Sequence, residues 1–329
     1  MRKKVCFLFQ GVGPQVSEKF ELLYGAISPD HFEEVALEEA DYLFFTPFAP
    51  QHHAAGPDTV KVLIAGENMT PDFNACDYAI SGEFLEFGDR YLRVPIYAMD
   101  PAAKGLQNRA RLTKDELSTK SKFCNFIYSN SVVADPYRLE FFEALHAIKP
   151  VISAGRLRRN YNGLAEMGPD VDWGAEKRKL VRDCRFTLAI ENAEQPGYIT
   201  EKMTDPYLVH SIPVYWGDPL IEDEFNQDAF LNLRNFPDAD TAIKTIIELD
   251  ADPDRQLAMQ NASVFTGNFD RVEDYLSKAR DFFQAIFDQP LDTARRRPRH
   301  GWVQGMENIR RKYQTKNMWF TKGKSRNPY

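Results

Sequence analysis

The chain has 329 residues, of which 43% are hydrophobic and 27% charged. That length predicts two domains at about 150 residues each. The composition excludes a largely disordered protein, and no apolar run approaches the ~20 residues needed to cross a bilayer. The formal charge of −7 hides an asymmetry: from Arg295 to Tyr329 there are eleven Lys and Arg against one acid, Glu307, so this end carries +10 and the rest −17. Such an end suits either an anionic surface, phospholipid or nucleic acid, or packing against the protein's own acidic face. The start, Met1-Arg2-Lys3-Lys4 before an apolar stretch, has the superficial form of a signal peptide, but Gln10 ends the run too early and a first strand is the better reading.

In chain order, short apolar runs predict strands at 5–9, 42–46, 60–65, 78–81, 123–129, 151–153, 186–190, 213–216 and 230–233. Amphipathic stretches predict helices at 17–26, 113–118, 135–148, 175–184, 200–210, 239–249, 253–262 and 271–287. This alternation predicts an α/β protein with parallel sheets covered on both faces. The stretch 100–122, with Pro101, Gly105 and six basic residues, reads as a linker, and the expected division is 1–120, 121–290 and a basic tail 291–329. Two Rossmann-like domains would place their ligand sites at the carboxyl ends of the strands, facing across a cleft.

Cys6, Cys76, Cys124 and Cys184 are scattered and form no C-x-x-C pair. They signal neither a zinc site nor a disulfide framework, which suits a reducing, cytoplasmic setting. Gly11-Val-Gly13-Pro14 lacks the third glycine of a dinucleotide fingerprint and reads as a turn. The D-x-D pairs Asp170/Asp172, Asp238/Asp240, Asp250/Asp252 and Asp252/Asp254 follow no buried strand and read in part as helix caps, and His52-His53 lies in a Pro-bounded loop. None of these predicts an obligatory metal.

Chemistry-bearing residues are densest in 186–219. A buried strand ends at Glu191-Asn192, a Gly/Pro loop follows, and a helix opens with Thr200 as cap and Glu201 and Lys202 in its first turn. A helix start with a lysine takes phosphate, and a carboxylate beside it accepts from paired hydroxyls. The plainer reading is a capped surface helix with one charge pair.

Glu191-Asn192, Tyr198-Ile-Thr-Glu201-Lys202 and Ile212-Pro-Val-Tyr-Trp-Gly-Asp-Pro219 together resemble the donor signature of the bacterial α1,3/4-fucosyltransferases, glycosyltransferase family 10. Gly66-Glu67-Asn68 with Pro71-Asp72-Phe73-Asn74, the stretch from Glu83 to Pro95, and Phe126-Ile-Tyr-Ser129-Asn130 with Arg138 extend the resemblance from about residue 60 to 285. Ile190 departs from it, standing where the family more often has an aromatic residue.

The resemblance implies a GT-B-type fold and inverting transfer of L-fucose from GDP-fucose to O3 or O4 of the GlcNAc in a galactosyl-GlcNAc glycan such as lipopolysaccharide. The implied partners are GDP-fucose and an oligosaccharide acceptor, with no nucleic acid; the implied place is the cytoplasm, with the basic tail as a peripheral contact to the inner membrane. Glu67, two residues past a predicted strand, becomes the candidate base. Arg138, read as the third residue of a helix capped by Asp135 with Pro136 first, and Lys202 become the diphosphate ligands. Asn192, Tyr198 and Glu201 complete the donor pocket. A transferase using another nucleotide sugar, or an inactive glycan-binding relative, would share this fold; inactivity would be expected to spoil Glu67, Arg138 or Lys202 first, and all three positions are filled.

Overall fold

The computed structural model describes residues 2–9, 21–27, 32–129, 132–163, 173–267 and 269–320. The turn expected at 11–14, the start of the helix expected at 17–26, Asn130 and the Asp170/Asp172 pair lie outside them. The chain divides into two compact units, Met1–Val94 with Tyr275–Tyr329, and Pro95–Asp274.

The first unit is built on a six-stranded sheet. Its strands are β1 (Lys3–Leu8), β2 (Phe32–Glu34), β3 (Tyr42–Phe45), β4 (Val60–Ile64), β5 (Tyr78–Ser81) and β6 (Tyr91–Arg93). They pair in parallel in the order β2-β1-β3-β4-β5-β6. The central strands β3, β4 and β5 are buried along their whole length, as parallel strands covered on both faces must be. Strands β2 and β6 escaped the sequence reading. Each is three residues at a sheet edge, and Phe-Glu-Glu and Tyr-Leu-Arg offer no apolar run to detect.

The second unit holds β7 (Lys122–Phe126), β8 (Val151–Ser153), β9 (Cys184–Ile190), β10 (Ile212–Trp216) and β11 (Leu231–Asn232). Its sheet is also parallel, in the order β11-β10-β9-β7-β8. The principal helices are α1 (Tyr137–Ile148), α2 (Trp173–Arg182), α3 (Glu201–Thr204), α4 (Ala239–Asp250) and α5 (Pro253–Gln260). Phe126 of β7 stacks on Phe142 of α1 at 4.4 Å, and Ile243, Ile246 and Leu249 of α4 complete the same core. Strand order reverses direction between β7 and β9, the position where open α/β sheets bind ligands beyond their carboxyl ends.

Two boundaries differ from expectation. The stretch 95–120 belongs to the second unit rather than standing as a linker. Tyr97 is fully buried there, donates to Glu224 Oε2 at 2.5 Å and packs on Phe225. The side chain of Asn261 accepts from and donates to the backbone of Leu112. The helix expected over 200–210 is cut to α3 and a 3-10 turn, Tyr207–Val209. Pro206 between them has no N–H to continue the helix.

The end of the chain returns to the first unit with α6 (Arg271–Phe287) and α7 (Trp302–Phe320). From α6, Phe287 meets Tyr42 edge-on at 5.0 Å and Phe283 meets Phe44 at 5.6 Å. Arg297 is buried, with Nε donating to Asp77 Oδ2 at 2.9 Å and Nη1 to Glu307 Oε1 at 2.6 Å. Lys61 of β4 reaches the same Glu307 oxygen at 2.5 Å. Of the two readings of the basic end, packing on the protein itself therefore holds for Arg295, Arg297 and Glu307, which are buried. No helix among the described residues is long and apolar enough to cross a membrane.

Candidate functional site

Arg138 organises the carboxyl ends of β7 and β9. Helix α1 begins at Tyr137, whose N–H donates to Asp135 Oδ1 at 2.9 Å, while the N–H of Arg138 donates to the Asp135 carbonyl. The cap falls on Pro136, one residue later than expected, with Asp135 just before it accepting from the first helical N–H; Arg138 is the second helical residue rather than the third and still lies in the first turn. Only 2% of Arg138 is exposed. Its Nε and Nη2 both donate to the Ile190 carbonyl, at 3.2 and 2.9 Å, and Nη2 also reaches Asn192 Oδ1 at 2.7 Å. The guanidinium lies 4.3 Å from the centroid of the Tyr128 ring. Glu143 of the same helix pairs with Arg158 and not with Arg138. The departure at position 190 concerns only side-chain packing, because it is the Ile190 carbonyl that holds Arg138.

Tyr128 is the organiser that the sequence did not single out. Its hydroxyl donates to the Leu188 carbonyl and accepts from the Ile190 N–H, both at 2.8 Å, so it ties the loop after β7 to β9. Asn192 links two further residues: Oδ1 accepts from Arg138, and Nδ2 donates to the buried Tyr198 hydroxyl at 3.3 Å. Gly197, with φ +85°, permits the turn that delivers Tyr198.

Thr200 caps α3, accepting from the Lys202 N–H at 3.3 Å. Beneath it lies Glu191, fully buried at the end of β9. Lys202 Nζ donates to Glu191 Oε2 at 3.1 Å. Burial pulls the Lys202 ammonium down, but the carboxylates of Glu191 and Glu201 outweigh it and hold its pKa above the ordinary lysine value.

Arg138, Asn192, Glu201 and Lys202 line one cavity of about 220 Å³ with Tyr128 and Lys177. Lys177 of α2 is ion-paired to Asp205 at 2.8 Å, and no sequence pattern marked it. The cavity runs along β7 and β9 at the order reversal of the sheet. It offers two helix starts and three cations, a set suited to a diphosphate, with the Glu201 carboxylate beside them for hydroxyls. Five of the six predicted site residues are therefore together. Glu67 belongs to the other unit, in a half-buried bend three residues past β4, with its carbonyl accepting from the Met69 N–H.

The other motif residues of the first unit are scaffold. Asp72 turns its own loop by accepting from the Asn74 N–H. Arg90 lies 5.0 Å from the ring centroids of both Phe73 and Phe87 and donates to three backbone carbonyls. Asp238 and Asp252 cap α4 and α5, and Asp250 pairs with Lys149 and Arg185. Among the described residues no group of three His, Cys, Asp or Glu is placed to hold a metal ion.

Comparison with known proteins fits this geometry. Residues 8–100 match the description "Alpha-(1,3)-fucosyltransferase FucT N-terminal domain" and residues 117–259 match "Glycosyltransferase family 10 (fucosyltransferase) C-term". A crystal structure of an α1,3-fucosyltransferase superposes with a TM-score of 0.72 at 26% identity over 92% of this chain and 93% of that one. A second, determined with GDP-fucose, gives 0.65 at 27% identity over 88% and 91%. Two parallel-sheet α/β units with these neighbours define a GT-B glycosyltransferase fold. The chain belongs to glycosyltransferase family 10, the fucosyltransferases. It is 31% identical over 241 residues to the Helicobacter pylori α-(1,3)-fucosyltransferase FucT, covering 64% of this chain and 48% of that one. It is 24% identical over 229 residues to a putative fucosyltransferase of Acanthamoeba polyphaga mimivirus, covering 37% of that protein. The chain spans half or less of the length of these curated relatives.

Proposed function

We propose that the protein transfers L-fucose from GDP-fucose, with inversion, to O3 or O4 of the GlcNAc in a galactosyl-GlcNAc glycan of the lipopolysaccharide type. One observation carries this reading: Arg138, Asn192, Tyr198, Glu201 and Lys202, separated by up to 64 positions in the chain, converge at the carboxyl ends of β7 and β9. In this mechanism Arg138 and Lys202 stabilise the departing diphosphate, and Glu201 takes ribose or fucose hydroxyls. Glu67 takes the proton of the acceptor hydroxyl as fucose is transferred. Cationic side chains and helix starts supply what a metal would, so chelator leaves turnover intact. The test is GDP release from GDP-fucose with type 1 and type 2 disaccharides, with other nucleotide sugars as controls. Turnover of another nucleotide sugar alone selects the broader GT-B reading, and GDP-fucose binding without turnover selects an inactive binding protein.

We also infer that α7 rests on anionic phospholipid, on the cytoplasmic side of the inner membrane. Trp302, Met306, Ile309 and Tyr313, spaced four, three and four apart, form one stripe, and each is more than half exposed. Arg299, Arg310 and Lys312 flank it. Flotation with phosphatidylglycerol vesicles, lost with neutral vesicles and in Trp302→Ser/Ile309→Ser, supports this contact; equal binding to both vesicle types contradicts it.

A further inference from the structure

We propose that Glu191 is a positioning residue of the donor site: its buried carboxylate fixes the Lys202 ammonium where the departing diphosphate meets it. This rests on the reading that Lys202 faces that diphosphate. Among the described residues, every hydrogen bond of the carboxylate goes to two residues of the donor loop. Oε1 accepts from the Thr200 N–H at 2.8 Å and from its hydroxyl at 2.9 Å. Oε2 accepts from that hydroxyl at 2.9 Å and from Lys202 Nζ at 3.1 Å. One side chain therefore sets both the cap of α3 and the cation two residues later.

The Lys202 ammonium is held from two sides, by Glu191 Oε2 and by the Thr200 hydroxyl, each at 3.1 Å. An ammonium has three N–H donors. The third has no protein partner among the described residues, and Lys202 lines the cavity. Two bonds thus orient the group and one donor remains for a ligand. A flexible four-carbon side chain would otherwise lose much of its freedom only on meeting the transition state.

The sheet is cut to fit this carboxylate. A Cβ on Gly217, just past β10, would lie 2.5 Å from Glu191 Cγ and 2.8 Å from its Cβ, so only glycine leaves Glu191 room. The Glu191 N–H donates to the Trp216 carbonyl at 2.8 Å and fixes the backbone from the same side. The charged and titratable groups around Lys202 are Glu191 at the end of β9, Glu201 on α3, Tyr198 in the preceding loop and Tyr128 after β7. Arg138 lies over Tyr128, and the Lys177–Asp205 pair lines the same cavity. Glu191 is the largest of the influences that raise the Lys202 pKa.

Glu191→Gln keeps the shape and removes the charge. It should bind GDP at least as tightly as wild type, since the pocket gains one net positive charge, while kcat falls about 10- to 100-fold. Without the carboxylate the Lys202 pKa drops from far above the ordinary lysine value, so turnover should fall off at an alkaline pH that wild type tolerates. Gly217→Ala displaces Glu191 with every charge retained. It should lower kcat similarly and leave the alkaline limb where wild type has it. GDP calorimetry, thermal melts and pH–rate profiles on the full chain read all three quantities. The proposal is overturned if Glu191→Gln turns over within about twofold of wild type with an unmoved alkaline limb. It is equally overturned if that variant loses GDP affinity in step with melting temperature, the mark of a purely structural carboxylate. Wild-type protein that binds no GDP would instead overturn the donor-site reading itself.

Discussion

Replacing Arg138 by lysine separates its charge from its geometry. The guanidinium donates twice to the Ile190 carbonyl and once to Asn192 Oδ1, and faces the Tyr128 ring. The carbonyl and the amide oxygen are distinct acceptors, and a lysine ammonium at the end of a thinner stem reaches one of them in place of the fork. Losing one charged hydrogen bond costs about 1.5–3 kcal/mol, or about 10- to 100-fold in affinity. Released from Arg138, Asn192 also loses its hold on Tyr198, so the penalty falls on donor binding as well as on turnover. Arg138→Ala removes the cation too and leaves the Ile190 carbonyl buried without its partner; turnover should fall about 100-fold or more. Calorimetric titration with GDP, run beside urea unfolding, separates site from fold. A folded Arg138→Lys that binds GDP and turns over like wild type would refute the assignment.

Three further outcomes follow from the same structure. Glu67→Ala should retain GDP-fucose binding by calorimetry and lose transfer; loss of donor binding instead would show that the Glu67 bend is structural. Arg297→Met strips the buried cation from between Asp77 and Glu307, and urea unfolding should show a loss of about 3–5 kcal/mol, with a loss under 1 kcal/mol speaking against the ion cluster as the clasp of the chain's end. Burial, and then the neighbouring His53, pushes the pKa of His52 down to about 3, so the folded protein keeps it neutral while the unfolded chain protonates it below about 6.5. Stability should therefore fall as pH drops, by about 2 kcal/mol between pH 6.5 and pH 5 from this residue, and His52→Gln should flatten that part of the urea-monitored pH profile.

The strands of both sheets were legible because parallel strands buried on both faces read as apolar runs, as β3 and β10 do throughout and β4 does with only Lys61 interrupting. Edge strands β2 and β6 carry charge and do not. Helix α7 was hidden for the opposite reason. Its inward face presents Glu307 to Lys61 and Arg297, while its apolar stripe points outward, so the pattern reads as a charged tail. The donor residues were legible as a motif, but their mutual roles were not. Nothing in Glu191-Asn192 tells which side chain turns inward to hold Lys202 and which bridges Arg138 to Tyr198. That division appears only when Gly217 is seen to make room for one of them. The boundary near 120 failed because basic residues of 100–122 make contacts within the second unit, such as Arg109 with the Ala262 carbonyl and the buried Lys120 with the Val209 carbonyl, rather than marking a solvated connection.

The central claim is that the cavity along β7 and β9 is a GDP-fucose site from which fucose is transferred. Incubation of the wild-type chain with GDP-fucose and a galactosyl-GlcNAc disaccharide, followed by NMR of the product, tests it most directly. The account predicts one fucose joined to O3 or O4 of the GlcNAc with inverted anomeric configuration, and none formed by Lys202→Ala. A fucoside of retained configuration, or transfer undiminished in Lys202→Ala, would contradict it.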